Sequence, residues 1–364
     1  MKSPEYGARR VNERRLAVAS DFARRVVAWQ KTGGRHDLPW QGTRDAYRVW
    51  LSEIMLQQTQ VRTVIPYYLR FVARFPTLEA LARAPLDDVL ALWAGLGYYA
   101  RARHLHRCAR TVWEMHEGLF PSDPAIGARL PGIGRSTAAA IAVFAFGRRA
   151  AILDGNVKRV LARCFAVEGG DSAAGDERAL WALAESLLPE GDIECYTQGM
   201  MDLGATICTR GKPLCQACPL HGRCLAERDG RQEELPRRQG RKALPCRQST
   251  VLLLCDGERV LCERRPPSGI WGGLLSLPEG TRESAGNFAA RHGYRLVGCH
   301  DLPPITHDFS HFRLRLDVLL CRVDQSGAVA GEACWQWLAV DGLADAALPS
   351  PIRKLLLSAP WASR

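Results

Sequence analysis

The sequence has no apolar run approaching the ~20 residues that would span a bilayer. Nor does an apolar signal core follow its first residues, MKSPEYGARRVNERRLAVAS. A membrane-spanning or secreted protein is therefore set aside, and an intracellular one with no membrane partner is expected. Acidic residues are in deficit: 38 Asp and Glu stand against 49 Lys and Arg, a formal charge of +11. That surplus suits a polyanion, and charge alone leaves nucleic acid and a membrane surface open. No repeat recurs at a fixed period, and 364 residues are long for one core and comfortable for two domains.

Paired zinc knuckles are also missing. The 13 cysteines are odd in number and too many for a disulfide framework in such a chain. Nine (108, 164, 195, 246, 255, 262, 299, 321 and 334) are scattered singly and read as small buried hydrophobes. The other four, Cys208, Cys215, Cys218 and Cys224, crowd into CTRGKPLCQACPLHGRC among turn-forming Gly and Pro residues. Four thiolates so placed converge on one metal centre. A single CxxC fits zinc poorly and an iron–sulfur cluster better, since all-cysteine ligation accepts many spacings; the spacing leaves both open.

The chain reads as two unlike parts. Apolar positions recur at helical period from about 15 to 205, as in LEALARAPLDDVLALWAGL, so an all-α domain is expected over 15–226, with the cysteine loop at 208–224. A polar stretch at 227–247, with Arg237, Arg238, Arg241 and Lys242, reads as a linker. STVLLLC, RVLCERR and RLRLDVLLCRV then predict strands, and an α+β domain is expected over 248–364.

Several stretches of the first part carry chemistry. In VWLSEIMLQQTQV (49–61) the spacing predicts a helix with Glu53 and Gln57 on one face. A carboxylic acid in such apolar company keeps its proton, whereas at the helix edge it is a solvated Glu. GLGYYARAR (95–103) offers a tight turn, Tyr98 as a flat wedge and Arg101 and Arg103 as phosphate-directed charge, unless the aromatics are core. In RLPGIGRSTA, Pro131, Gly132 and Gly134 lead into a helix near Ser136. Amides exposed there hold phosphate, as in a helix-hairpin-helix; a plain interhelical turn is the alternative. ILDGNVKRVLARCF places Asp154 before a helix, where a cap is the simplest reading.

Together with MMDLGATICTR and the cysteine loop, these motifs closely resemble MutY-type adenine DNA glycosylases of the helix-hairpin-helix superfamily. The resemblance runs from about residue 20 to 226 and more loosely to the C-terminus. It implies a multidomain protein, an all-α helix-hairpin-helix glycosylase domain with an iron–sulfur loop plus a C-terminal α+β Nudix-like domain. Cys208, Cys215, Cys218 and Cys224 then hold a [4Fe–4S] cluster. The implied reaction is monofunctional base excision of adenine paired with 8-oxoguanine or guanine in duplex DNA, by base flipping and hydrolysis of the N-glycosidic bond.

The same resemblance gives residues their roles. Glu53 is the acid that protonates adenine, and Asp154 the carboxylate facing the cationic sugar. Asn156 orients water or sugar, Gln198 lies near the flipped base, and Gln57 and Tyr98 wedge the stack. Endonuclease III-like relatives carry a lysine where this chain has Ser136, which argues for a glycosylase without strand cleavage; Lys158 could still trap a little abasic product.

VLCERRPPSGIWGGLLSLPEG (260–280) resembles a Nudix domain. If Gly293 ends the Nudix box, the metal-binding glutamates fall at Ala290 and Arg291, so hydrolysis is not expected. The glycosylase resemblance implies instead that Phe309, Ser310 and His311 in THDFSHFRLRL read 8-oxoguanine, where an ordinary β-hairpin is the alternative. A monomer, cytoplasmic and nucleoid-associated, is expected. The rival readings are a bifunctional endonuclease III-like enzyme, a non-catalytic iron–sulfur DNA-binding protein, and a Nudix hydrolase with a DNA-binding extension.

Overall fold

The computed structural model describes residues 4–168, 173–237, 244–309, 311–325 and 334–358. Ser310 lies outside the described residues, as do Arg238, Arg241 and Lys242. The chain forms two compact units, Met1–Glu79 with Arg107–Gly240, and Ala80–His106 with Arg241–Arg364. The linear division expected from the sequence therefore does not describe segment 80–106, which belongs to the second unit. Among the described residues no helix is long and apolar enough to cross a membrane.

The first unit is helical. Its central element is the helix Gly155–Cys164, where Val157, Val160, Leu161, Ala162 and Cys164 are buried together with Arg159 and Arg163. Phe22 and Val26 pack on it, as do Ala139, Ala140, Tyr196 and Met200. A helix enclosed on nearly every side needs partners for its two guanidiniums, and both find them in backbone carbonyls. The helix Ala46–Leu56 starts at Asp45, whose side chain accepts the Tyr47 N–H, and buries Tyr47, Val49, Trp50, Leu51, Ser52, Ile54 and Met55. Such a cap contributes about 1 kcal/mol.

The start of the expected linker is packed rather than free. Leu235 is buried and its carbonyl accepts from Arg163 Nε at 2.9 Å, while Arg231 pairs with Glu168 and Glu234. The polar composition of this stretch records ion pairs on a folded surface.

The second unit is built on a six-stranded sheet: β1 (Cys246–Cys255), β2 (Arg259–Arg264), β3 (Leu275–Ser276), β4 (Tyr294–Asp308), β5 (Arg313–Gln325) and β6 (Trp335–Ala339). The order is β3-β2-β1-β5-β4, with β6 also on β2. Strands β1 and β5 run parallel from Cys246 opposite Arg313, and the other pairings are antiparallel. The helix Arg282–Arg291 opens with a Thr281–Ser284 capping box and lays Ala285 and Ala289 against Leu252, Leu254, Leu319 and Cys321. Segment 80–106 is tied to this unit by three links. Tyr99 donates to the Leu348 carbonyl at 3.3 Å, Arg103 to that of Gly272 at 2.6 Å, and Arg264 holds Asp87 at 2.6 and 2.9 Å.

Candidate active site

Glu53 is half-buried on the helix Ala46–Leu56 and lines a cavity of about 610 Å³ in the first unit. Arg35, His36, Trp40, Gln41 and Gln198 share that lining. Burial, and then the negative charge of Asp154, pushes the Glu53 carboxyl up to about 8. The two carboxylates, roughly a hundred positions apart in the chain, are thus within electrostatic reach. Asp154 itself is not among the residues lining the cavity.

Asp154 caps the helix Gly155–Cys164, its Oδ1 accepting the Asn156 and Val157 N–H groups at 2.9 and 2.8 Å. Amides and the positive end of the helix dipole favour the anion. In the structure burial outweighs them and lifts its carboxyl above the ordinary value, while the two amides, Arg159 and Lys158 pull the other way. No donor or cation opposes the rise at Glu53, which at about 8 keeps its proton at neutral pH, whereas two amides and two cations oppose it at Asp154. Ser136 Oγ accepts the N–H of Leu153 at 2.9 Å.

Asn156 Oδ1 accepts from Arg159 Nη2 at 2.8 Å, and the same nitrogen reaches the Gly204 carbonyl at 2.6 Å. Arg159 Nε donates to the Cys208 carbonyl at 2.7 Å, so one buried side chain ties the Asp154 helix to the cysteine loop. The contact is close because residue 204 lacks a side chain: a Cβ there would sit 2.5 Å from Asn156 Cβ. Sequence reading missed Arg159, though its place five residues after Asp154 in a run of buried positions was a signal.

The expected hairpin is present between the helices Pro124–Gly127 and Arg135–Phe146. Gly132 takes φ +77°, which favours glycine, and Gly134 caps the second helix without any side-chain bond to its first amides. Pro131 precedes them, half-buried. Among the described residues, no side chain takes the first-turn N–H groups of this second helix.

Two expectations need correction. The helix carrying Glu53 ends at Leu56: Gln57 leaves helical geometry at its C-cap, at φ −55° and ψ 113°, and Gln58 is left-handed at φ +57°. Glu53 and Gln57 thus do not share a helical face, and Gln57 Nε2 points instead to Thr137 Oγ1 at 3.4 Å. In the second unit Gly95 and Gly97 do make a tight turn, at φ +101° and +78°. Tyr98 stands 51% exposed there at φ +51°. The two arginines behind it are engaged internally. Arg101 lies over the rings of Trp93 and Tyr98, and Arg103 is held by Gly272.

In the cysteine loop every sulfur meets an N–H donor. Arg163 Nη1 approaches Cys208 at 3.3 Å, the Leu220 amide Cys218 at 3.4 Å and Gln232 Nε2 Cys215 at 3.9 Å, while the Ala226 and Glu227 amides face Cys224. Donors of this kind favour thiolate sulfur, against the burial that raises the Cys208, Cys215 and Cys218 thiols. Among the described residues no three His, Cys, Asp or Glu side chains close on one metal ion. Of the nine other cysteines, Cys246 and Cys334 are exposed, contrary to the expectation of burial, because they sit at strand ends. Cys164 is buried against Cys224.

In the second unit, Phe309 and His311 lie in the turn between β4 and β5, closed by Phe309 N–H to the Phe312 carbonyl at 2.8 Å. Phe309 stacks on Phe312 at 4.5 Å and lies 6.0 Å from Trp271. Beside β2, Arg265 stands between Glu263 and Glu279, at 3.7 and 2.8 Å, where it neutralises both.

Comparison with known proteins accords with this arrangement. Residues 51–186 match the HhH-GPD superfamily of base excision DNA repair proteins, and residues 250–358 match the NUDIX domain. The adenine DNA glycosylase of Buchnera aphidicola (subsp. Acyrthosiphon pisum) is 36% identical over 92% of this chain and 96% of its own. That of Homo sapiens is 33% identical over 94% of this chain and 74% of its own. Among solved structures, a thermostable thymine-DNA glycosylase superposes with a TM-score of 0.52 at 32% identity, over 60% of this chain and 98% of that one. With likeness of this extent running through both units, the chain belongs to the adenine DNA glycosylases, the DNA N-glycosylases of base excision repair.

Proposed function

We propose that this enzyme excises adenine opposite 8-oxoguanine or guanine in duplex DNA, without cleaving the strand. The observation that carries the proposal is the pair Glu53 and Asp154, one carboxyl pushed up to about 8 partly by the charge of the other. Breaking the bond between adenine and deoxyribose needs a proton for the departing base and an anion for the cationic sugar. Glu53 supplies the proton from the cavity wall. Asp154, anchored by two amides, supplies the anion, and Asn156, held by Arg159, orients water or sugar.

The Pro131–Gly134 hairpin takes backbone phosphate with its free amides, and Gln57 and Tyr98 wedge the stack as adenine is everted. Gln198 faces the everted base in the cavity. Eversion costs a few kcal/mol, least at a mispair. Ser136 provides no amine to attack the sugar, which supports hydrolysis over strand scission. In the second unit Phe309, Ser310 and His311 read the opposite 8-oxoguanine. The enzyme works as a monomer, in the cytoplasm at the nucleoid.

Cys208, Cys215, Cys218 and Cys224 are proposed to hold a [4Fe–4S] cluster. The donor set fits, because the four sulfurs lie within electrostatic reach of one another and each is met by N–H groups. When bound, the cluster supplies a rigid cross-link for the loop and a capacity for one-electron chemistry.

The decisive experiment is single-turnover excision from an 8-oxoguanine:adenine duplex, with and without alkali. Strand breaks should appear only after alkali, and Glu53→Gln and Asp154→Asn should nearly abolish them while duplex binding persists. Equal breakage without alkali would overturn the reading.

A further inference from the structure

Asp202 is fully buried at the end of the helix Ile193–Asp202, and everything around its carboxylate donates. Its Oδ2 accepts the Arg35 backbone N–H at 2.8 Å. Its Oδ1 accepts Arg35 Nε at 2.7 Å, Arg35 Nη2 at 2.6 Å and Gln198 Nε2 at 2.8 Å. Gln198 lies one helical turn before Asp202 and lines the cavity that holds Glu53.

A side-chain amide has a donor end and an acceptor end, and a carboxylate can only accept. Because Asp202 is locked by Arg35 and buried, the NH2 of Gln198 must face it. Turning the amide over would set its carbonyl oxygen against a buried anion. The end left to face the cavity is therefore the carbonyl. We propose that Asp202, oriented by Arg35, is a positioning residue that fixes the polarity of Gln198, so that the cavity presents a hydrogen-bond acceptor to the edge of the everted base.

This rests on the reading of the cavity as the pocket for adenine, and it says why adenine is chosen there. Adenine carries an amino group at C6, which donates to that carbonyl. Hypoxanthine is the same bicycle with a carbonyl at C6, and would place acceptor against acceptor. Both bases keep the ring nitrogen that a protonated Glu53 could address, so discrimination falls on the group at C6 and not on the chemistry of bond breaking. The relay reaches the site from Arg35, whose backbone carbonyl is itself held by Gln41 Nε2 at 2.9 Å.

The test compares single-turnover excision of adenine and of hypoxanthine, each opposite 8-oxoguanine, in the full-length enzyme. In Asp202→Asn the neighbour of Gln198 can donate as well as accept, so the amide is free to turn. The hypoxanthine-to-adenine rate ratio should rise about tenfold, the scale of one hydrogen bond lost and one repulsion removed. Gln198→Met, which keeps length but has neither end, should raise the ratio by a similar factor. Adding Asp202→Asn to Gln198→Met should then change the ratio no further, since the relay has lost its carrier. A merely structural role for Asp202 would lower both rates together and leave the ratio alone. Should Asp202→Asn fail to fold, an unchanged ratio in Gln198→Met overturns the proposal by itself. If the unaltered enzyme releases no adenine, the pocket assignment has failed instead, and the two failures are distinct.

Discussion

Ser136 Oγ accepts the backbone N–H of Leu153 at 2.9 Å, so the residue preceding Asp154 is pinned to the helix that follows the hairpin. Leu153 is buried, and its amide has no water to turn to. Ser136→Ala should therefore cost about 1–3 kcal/mol of stability, the penalty for an unsatisfied buried donor. The excision rate should fall, because Asp154 loses its upstream anchor. Ser136→Thr, which keeps the hydroxyl, should recover most of both in a thermal melt and a single-turnover assay.

The raised carboxyl of Glu53 sets the pH response. As the acid, it is competent only when protonated, so the excision rate should be level below about 8 and fall about tenfold per unit above it. On the acid side the rate should drop as Asp154 takes a proton, at a higher pH than an ordinary aspartate would. The stability consequence has the opposite sense from that of a salt-bridged acid. The folded state holds the Glu53 proton more tightly than the unfolded chain, so this site's contribution declines as pH rises from the unfolded carboxylate value towards about 8. Glu53→Gln should thus be inactive, and more stable than the unaltered enzyme at pH 8.5, by melts at pH 5 and 8.5.

What was legible in the sequence and what was not divides along a physical line. Asp154 before its helix, the glycines of the hairpin and the four clustered cysteines are local devices, and each appears in the residues that perform it. Arg35 and Asp202 lie 167 positions apart, and nothing near either announces the other. The end of the Glu53 helix was hidden because the left-handed residue there is Gln58, with no glycine to mark it. Arg101 and Arg103 carry the same charge whether they face phosphate or a ring, so only the fold reveals that they are occupied.

Gly204 permits the close approach of Asn156 to the helical turn Leu203–Ile207 that precedes Cys208. Gly204→Ala would bring a methyl group to within 2.5 Å of Asn156 Cβ, and the main chain beside it leaves no room to yield. Overpacking of this kind costs about 1–3 kcal/mol. Excision should fall more than duplex binding does, as measured by rapid quench against a gel-shift titration.

Removing a cluster ligand should separate folding of the loop from chemistry at the cavity. Cys224→Ser is expected to lose the visible absorbance of the iron–sulfur chromophore and most of its iron. With it should go at least tenfold in duplex affinity, because metal binding and loop folding are one event. A variant that keeps both affinity and absorbance would show that these cysteines hold no cluster.

The turn between β4 and β5 should govern the choice of opposite base. His311→Ala and Phe309→Ala should reduce the preference for 8-oxoguanine:adenine over guanine:adenine by about tenfold each, the scale of one directed contact. Excision from the guanine mispair should change little, a pattern read from kcat/KM on the two duplexes.

Segment 80–106 has a consequence for anyone who would shorten this protein. A stop codon after Gly240 would keep every residue of the first unit, yet it would strip Tyr99, Arg103 and Asp87 of the carbonyls and guanidinium that hold them. Such a fragment carries an amputated piece of its neighbour, bare and sticky, directly around Tyr98. A sluggish or aggregating truncation would then speak of orphaned scaffolding and not of a missing damage reader.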